Sequence, residues 1–263
     1  MALTPLAPAA SAPALLGQEL DRAVRRWRGD RVLRVATPVE PVDPLLWAAA
    51  QTASPTHYWR GRSEAEAWAG VGVATGLDGP SLDDLARLGD VMASLPPDAR
   101  LATTARFDSA AEVGEEWTAF GAVRLVLPRV ELRSDGKAAT LAVHLMPGES
   151  PRVAREALAA IRPARADVSG ALPLPYMRRD DPARAEWDRM LRWALGAFAT
   201  GDLGKVVLAR RARFLFEEPV DAVALLRRLE AATPRCYHAL VAPGAGPSFL
   251  TATPERLLRL DGR

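Results

Sequence analysis

The order of the hydrophobic periodicities along the chain limits the fold more than any other feature. Short apolar or alternating runs, each stopped by Gly, Pro or an Asp-Gly pair, fill the first two thirds, and a helix–strand–helix–strand series follows. Strands are expected at Arg31–Ala36, Tyr58–Arg60, Ala69–Thr75, Leu101–Phe107, Trp117–Leu127, Val130–Arg133 and Ala138–Leu145. The last two flank Ser134-Asp135-Gly136-Lys137, where Asp-Gly predicts a hairpin turn. Helical spacing occurs over Gln18–Arg28, Leu45–Gln51, Ser81–Ser94 with Ser81 as cap, and Pro151–Ile161. Beyond the Pro- and Gly-bearing connection Arg162–Pro175, Trp187, Met190, Leu191, Ala194, Leu195 and Phe198 recur at helical spacing until Gly201. A strand over Lys205–Phe214, a helix after Pro219, and strands at Cys236–Val241, Phe249–Thr251 and Leu257–Leu260 complete the pattern. Strand runs followed by alternating helices and strands predict an α+β fold. Residues 1–16, rich in Ala and Pro, read as a disordered leader, 17–178 as an N-terminal α+β region, and 179–263 as a second region. Asp261-Gly262 predicts a hairpin whose returning strand would start at Arg263, so the fold is expected to continue past the chain.

The formal net charge is only +2 and the charges alternate in sign, without the Lys/Arg block that tracks phosphates. Nucleic acid is therefore not an expected partner. The single cysteine, Cys236, excludes an internal disulfide and fits a reducing compartment. The N-terminus lacks the charged and apolar regions of a signal peptide, and no stretch is long enough to cross a bilayer, so a cytoplasmic location is expected and membrane is not an expected partner. The glycines at 70, 72 and 76 match a dinucleotide fingerprint only loosely, with the wrong spacing and no helix signal directly after them. His57, His144 and His238 are scattered, with no spacing that suggests a metal site, and His238 reads as structural.

The chain is nearly free of lysine. Of 34 Lys and Arg residues only Lys137 and Lys205 are lysine. Arginine keeps its proton at any relevant pH, whereas a desolvated lysine can become a neutral base. Lys137 sits in the Asp-Gly turn, where a solvated charge is expected. Lys205 heads the apolar run Val206-Val207-Leu208 and is a candidate general base, against the plain alternative of a solvated residue at a strand start. Glu255, after Thr253-Pro254, reads either as a proton donor or as a first-turn glutamate at a helix N-terminus. Arg210 and Arg211 read as a solvated pair or as groups that tune the lysine.

The segment from Trp187 to Leu258 resembles the chorismate-utilising enzymes, most closely the isochorismate synthases. Three motifs carry the resemblance: Gly204-Lys205-Val206-Val207-Leu208-Ala209-Arg210, Pro234-Arg235-Cys236-Tyr237, and Phe249-Leu250-Thr251-Ala252-Thr253-Pro254-Glu255-Arg256-Leu257-Leu258. Weaker echoes are Tyr58-Trp59-Arg60, Ala69 to Ala74, and Arg106-Phe107-Asp108 followed by Trp117 and Phe120-Gly121. The resemblance implies two layered, largely antiparallel sheets flanked by helices. It makes 179–263 the first part of a catalytic core that binds chorismate, incomplete in this chain. It implies that Lys205 acts as general base on a water that attacks C2 of chorismate, and that Glu255 acts as general acid on the hydroxyl leaving C4. One pH would then need a neutral amine and a protonated carboxyl, which burial of both groups favours.

The resemblance also implies Mg²⁺ on the C1 carboxylate of the substrate, held by residues beyond Arg263. Little activity is therefore expected of these residues alone. Sibling activities are anthranilate or aminodeoxychorismate synthesis, which a lysine at 205 argues against, and salicylate synthesis, which keeps the lysine and adds pyruvate elimination. A non-catalytic binding remnant would be expected to lack the acid or the base, and both are present.

Overall fold

In the computed structural model, residues 6, 8–62, 66–93, 95–168, 171–257 and 259 are described. The chain divides into two compact units: residues 1–169 with 222–263, and residues 170–221.

The first unit is built on a seven-stranded antiparallel sheet. In chain order its strands are β1 (Leu33–Val39), β2 (Thr56–Arg60), β3 (Ala67–Val71), β7 (Val130–Ser134), β8 (Ala139–Leu145), β11 (Tyr237–Ala242) and β12 (Phe249–Thr253). In space they run β1-β8-β7-β3-β2-β11-β12. The register aligns Thr37, Leu141, Leu132, Ala69, Tyr58, Leu240 and Leu250 in one row across all seven strands. Opposed residues share a face, so this row and its alternates form one apolar side. Helices α1 (Ala12–Val24), α2 (Pro44–Ala50), α4 (Pro151–Ala159) and α6 (Ala222–Ala232) pack on that side. Leu16, Leu20, Leu45, Leu145 and Leu226 are fully buried there. Each such side chain contributes about 2 kcal/mol through burial.

The opposite face carries polar and aromatic residues. One row is Thr140, Arg133, Trp68, Trp59, Ala239 and Thr251, and the next includes Glu131, Gly70 and His57. Glu131 is fully buried and accepts from Arg34 Nε at 2.9 Å and from Trp68 Nε1 at 2.6 Å. A small sheet of β4 (Thr75–Gly79), β6 (Val123–Leu127) and β5 (Ala102–Ala105), in the order β4-β6-β5, belongs to the same unit. Its flanking residues meet the polar face of the large sheet. His144 Nδ1 lies 2.9 Å from the Pro128 carbonyl, Arg133 donates to the Asp98 carbonyl, and Trp117 and Phe120 pack on Phe249. The expected layered antiparallel sheets flanked by helices are present, and the fold is α+β.

The second unit holds β9 (Met177–Asp181), α5 (Arg184–Thr200) and β10 (Arg211–Leu215), with β9 and β10 paired antiparallel. Helix α5 stops at Gly201, whose φ of 79° forms the left-handed cap expected of a glycine there.

Several expectations are corrected. The disordered leader 1–16 is replaced, from Ala12 on, by the first turns of α1. Pro13 sits in its opening turn, where a missing N–H costs nothing, and Leu16 and Leu20 are one turn apart on the buried face. Residues 1–5 and 7 lie outside the described residues. The division at 178/179 is also replaced. Strand β11 pairs with β2, so β11 and β12 belong to the sheet that the N-terminal region begins, and 170–221 form a unit of their own. Strand Trp117–Leu127 shortens to β6, because Trp117 and Phe120 lie in a 3-10 turn, Glu115–Phe120, that packs their rings together at a tilt of 53°. Ser81–Ser94 becomes a 3-10 turn (Leu82–Arg87) and the short helix α3 (Leu88–Ala93), with Ser94 outside the described residues. Leu257 is exposed and in no strand, while Leu258 and residues 260–263, with the Asp261-Gly262 turn, lie outside the described residues. Strands β4 and β9 carry no alternation in sequence.

Gly70 belongs to β3, where an added Cβ would lie 2.7 Å from Pro128. Close packing of the Pro128 ring and the Trp68 indole on β3 accounts for this glycine without a phosphate. No helix among the described residues is long and apolar enough to cross a membrane.

Burial in the sheet, reinforced by the Arg124 guanidinium, pushes the His57 pKa down to about 4. A group depressed in the folded state and ordinary in the unfolded state stabilises fully above pH 6.5 and destabilises as pH falls toward 4. The expected loss through His57 is about 3 kcal/mol. Urea midpoints at pH 7 and pH 4.5 should diverge more in the native protein than in His57→Leu, and equal divergence would remove His57 from the acid transition.

Candidate active site

Strands β2, β11 and β12 lie side by side at one end of the large sheet. Their register places Trp59, Ala239, Thr251, Tyr237 and Thr253 on the polar face. These residues, with Glu255, line an open cavity of about 620 Å³. Trp59 and Tyr237 stack at 6.1 Å with an interplanar angle of 27°.

Glu255 stands two residues past the end of β12. Its backbone N–H donates to Thr253 Oγ1 at 3.2 Å. The preceding carbonyl, of Pro254, accepts from Arg62 Nη1 at 2.9 Å. The following residue, Arg256, donates through Nε to the Tyr237 hydroxyl at 2.8 Å. Among the described residues none bonds the Glu255 carboxyl, which is exposed at the cavity. No helix begins at 254–257, so the helix-capping reading of Glu255 does not hold.

Lys205 belongs to the other unit. The turn after α5 is held by the amides of Asp202 and Leu203, which donate to the Ala197 carbonyl at 2.9 and 3.2 Å. Lys205 is exposed and lies in an irregular segment, 203–210. The expected strand Lys205–Phe214 is therefore corrected to β10, Arg211–Leu215. A strand forms only where a neighbour satisfies its backbone, and among the described residues β9 supplies pairing only from Arg211 onward. Val207 is left 80% exposed, an unusual state for a β-branched residue in an apolar run. Arg210 and Arg211 face Asp180 and Asp181 at 3.9 and 2.7 Å. Their exposed pairing supports the solvated-pair reading, and such pairs contribute under about 1 kcal/mol.

Lys205 and Glu255 thus fall in separate units, each on an exposed segment next to an ordered strand or helix. The burial expected of both is not found within this chain. The three histidines are buried within the sheet, and His238 Nε2 contacts Thr233 Oγ1 at 3.0 Å, in keeping with a structural role. Among the described residues no three His, Cys, Asp or Glu side chains converge to ligate a cation, so the residues present do not fit the Mg²⁺ that the resemblance implies. Sequence reasoning did not single out Arg62 or the wall formed by Trp59 and Tyr237. The Tyr58-Trp59-Arg60 echo and the Pro234-Arg235-Cys236-Tyr237 motif are the signals for the wall, and they become readable together once β2 is known to pair with β11.

Residues 18–263 match the family described as "Chorismate binding enzyme". Isochorismate synthase MenF of Escherichia coli is 29% identical over 251 residues, covering 92% of this chain and 54% of that protein. A salicylate biosynthesis isochorismate synthase of Pseudomonas aeruginosa is 31% identical over 282 aligned positions, covering 97% and 57% respectively. The solved structure of Escherichia coli MenF, described as the menaquinone-specific isochorismate synthase, superposes with a TM-score of 0.70 at 26% identity, over 92% of this chain and 56% of that one. The chain spans about half the length of these relatives. On the extent of the family match, over almost its whole length, the chain belongs to the chorismate-binding enzymes.

Proposed function

We propose that this chain carries the proton-transfer residues of an isochorismate synthase, with chorismate as substrate. Lys205 in neutral form takes a proton from a water, whose oxygen bonds to C2 of chorismate. The ring double bonds shift, and the C4–O bond breaks as Glu255 gives its proton to the departing hydroxyl, which leaves as water. One water is added and one released, so the net change is an isomerisation. The protonated amine and the ionised carboxylate return to their starting states by exchange with solvent. The observation that carries this reading is the Glu255 carboxyl, bonded by none of the described residues, in the lining of a cavity that Trp59 and Tyr237 also line. Support comes also from relatives named isochorismate synthase across most of the chain.

On this reading the residues that hold Mg²⁺ and grip the substrate carboxylate belong to the part of the relatives' length that this chain does not span. A cytoplasmic setting fits the single free cysteine. Chorismate incubated with the protein encoded by the whole reading frame should give isochorismate, with no pyruvate released and no need for ammonia or glutamine. Salicylate with pyruvate, or an aminated ring, would replace this reading with a sibling activity. The 263 residues alone should turn over at no more than about one hundredth of that rate, for want of substrate positioning. Equal rates would overturn that assignment.

A further inference from the structure

Glu255 lies beyond the end of β12, which among the described residues is an edge strand paired only with β11. A segment in that position has no ladder to hold it, and proton transfer needs the donor fixed to within about 0.5 Å. What fixes this one comes from β2, two strands away. Arg62 follows β2 and reaches across β11, its guanidinium 5.9 Å from the Tyr237 ring centroid, to donate to the Pro254 carbonyl at 2.9 Å. On the other side of Glu255, Arg256 returns to the same tyrosine, with its guanidinium 5.5 Å from the ring and its Nε on the hydroxyl. Both backbone neighbours of Glu255 are thus tied to one aromatic ring, which is itself stacked on Trp59. The Glu255 carboxyl takes no part in the ties. The arrangement holds the main chain without engaging the acid itself.

We propose that Arg62 is a positioning residue for Glu255, acting through the Pro254 carbonyl and Tyr237. The proposal rests on the assignment of Glu255 as general acid. Arg62 is exposed and its removal leaves the core intact. In the chorismate-converting protein, Arg62→Ala should lower kcat at least tenfold with the chorismate KM within about twofold, since a donor displaced by 1 Å can cost about a hundredfold. Arg62→Lys, which keeps a donor for the carbonyl, should recover part of the loss. In the 263-residue chain, Arg62→Ala should speed amide exchange in the peptide spanning Thr253–Leu257 and not in β7 or β8.

A native kcat, a raised KM with native kcat, or unchanged exchange at Thr253–Leu257 overturns the positioning role. Glu255→Gln separates this from failure of the parent reading. A native kcat in Arg62→Ala beside an inactive Glu255→Gln removes only Arg62, whereas an active Glu255→Gln removes the acid assignment and the positioning role together.

Discussion

Lys205→Ala is expected to lower kcat for isochorismate formation by about a thousandfold, and Glu255→Gln by a similar factor, in the middle of the range for removal of a general base or acid. The fold should survive both changes. The two side chains are exposed and make no hydrogen bond or ion pair within the described residues, so neither substitution empties a cavity or orphans a buried group. Circular dichroism and thermal midpoints should match the native protein while turnover is lost. Lys205→Arg should be as inactive as Lys205→Ala, because a guanidinium cannot give up its proton to become a base. A native rate in Lys205→Arg would show that position 205 needs only a positive charge. A rate near native in Lys205→Ala or Glu255→Gln would remove that residue from proton transfer.

Glu131→Ala should have the largest effect on stability. Glu131 is fully buried between Arg34, only 11% exposed, and Trp68. Arg133 Nη2 and His144 Nε2 lie at 3.9 and 4.0 Å from the same carboxylate. Truncation leaves a buried guanidinium without its counter-charge and an indole N–H without an acceptor. Breaking a buried pair from one side costs about 3–5 kcal/mol, far more than the pair itself contributes to net stability. For comparison, Asp181→Ala, which frees the exposed Arg211, should cost less than about 1 kcal/mol. Urea denaturation should separate the two variants clearly. Similar midpoints would mean that Arg34 reaches solvent when Glu131 is gone.

Much of the large sheet is legible in the sequence. Strands β7 and β8 and the turn between them follow from alternation and Asp-Gly, which are local signals, and α5 and its end follow from helical spacing and Gly201. Three kinds of feature were not legible. Alanine-rich sequence at the N-terminus resembles a leader until Leu16 and Leu20 are seen to be fully buried, because low-complexity composition hides a good helix former. Domain membership depends on pairing between β11 and β2, which lie about 180 residues apart and carry no local mark of one another. The run from Lys205 to Arg210 has strand composition but no neighbour among the described residues, and β propensity expresses itself only where a partner strand is available.

The candidate site was legible in part. Lys205 and Glu255 stood out through rarity and motif, while Arg62 did not, since nothing local distinguishes it from the other arginines. Its contact with Pro254 spans 192 residues and exists only because three strands lie side by side.

The most direct measurement is chorismate turnover in water enriched in oxygen-18. Attack by a water deprotonated at Lys205 predicts isochorismate labelled in its C2 hydroxyl in proportion to the enrichment. Isochorismate with an unlabelled C2 oxygen would mean that the hydroxyl migrates within the substrate, and Lys205 would have no water to activate.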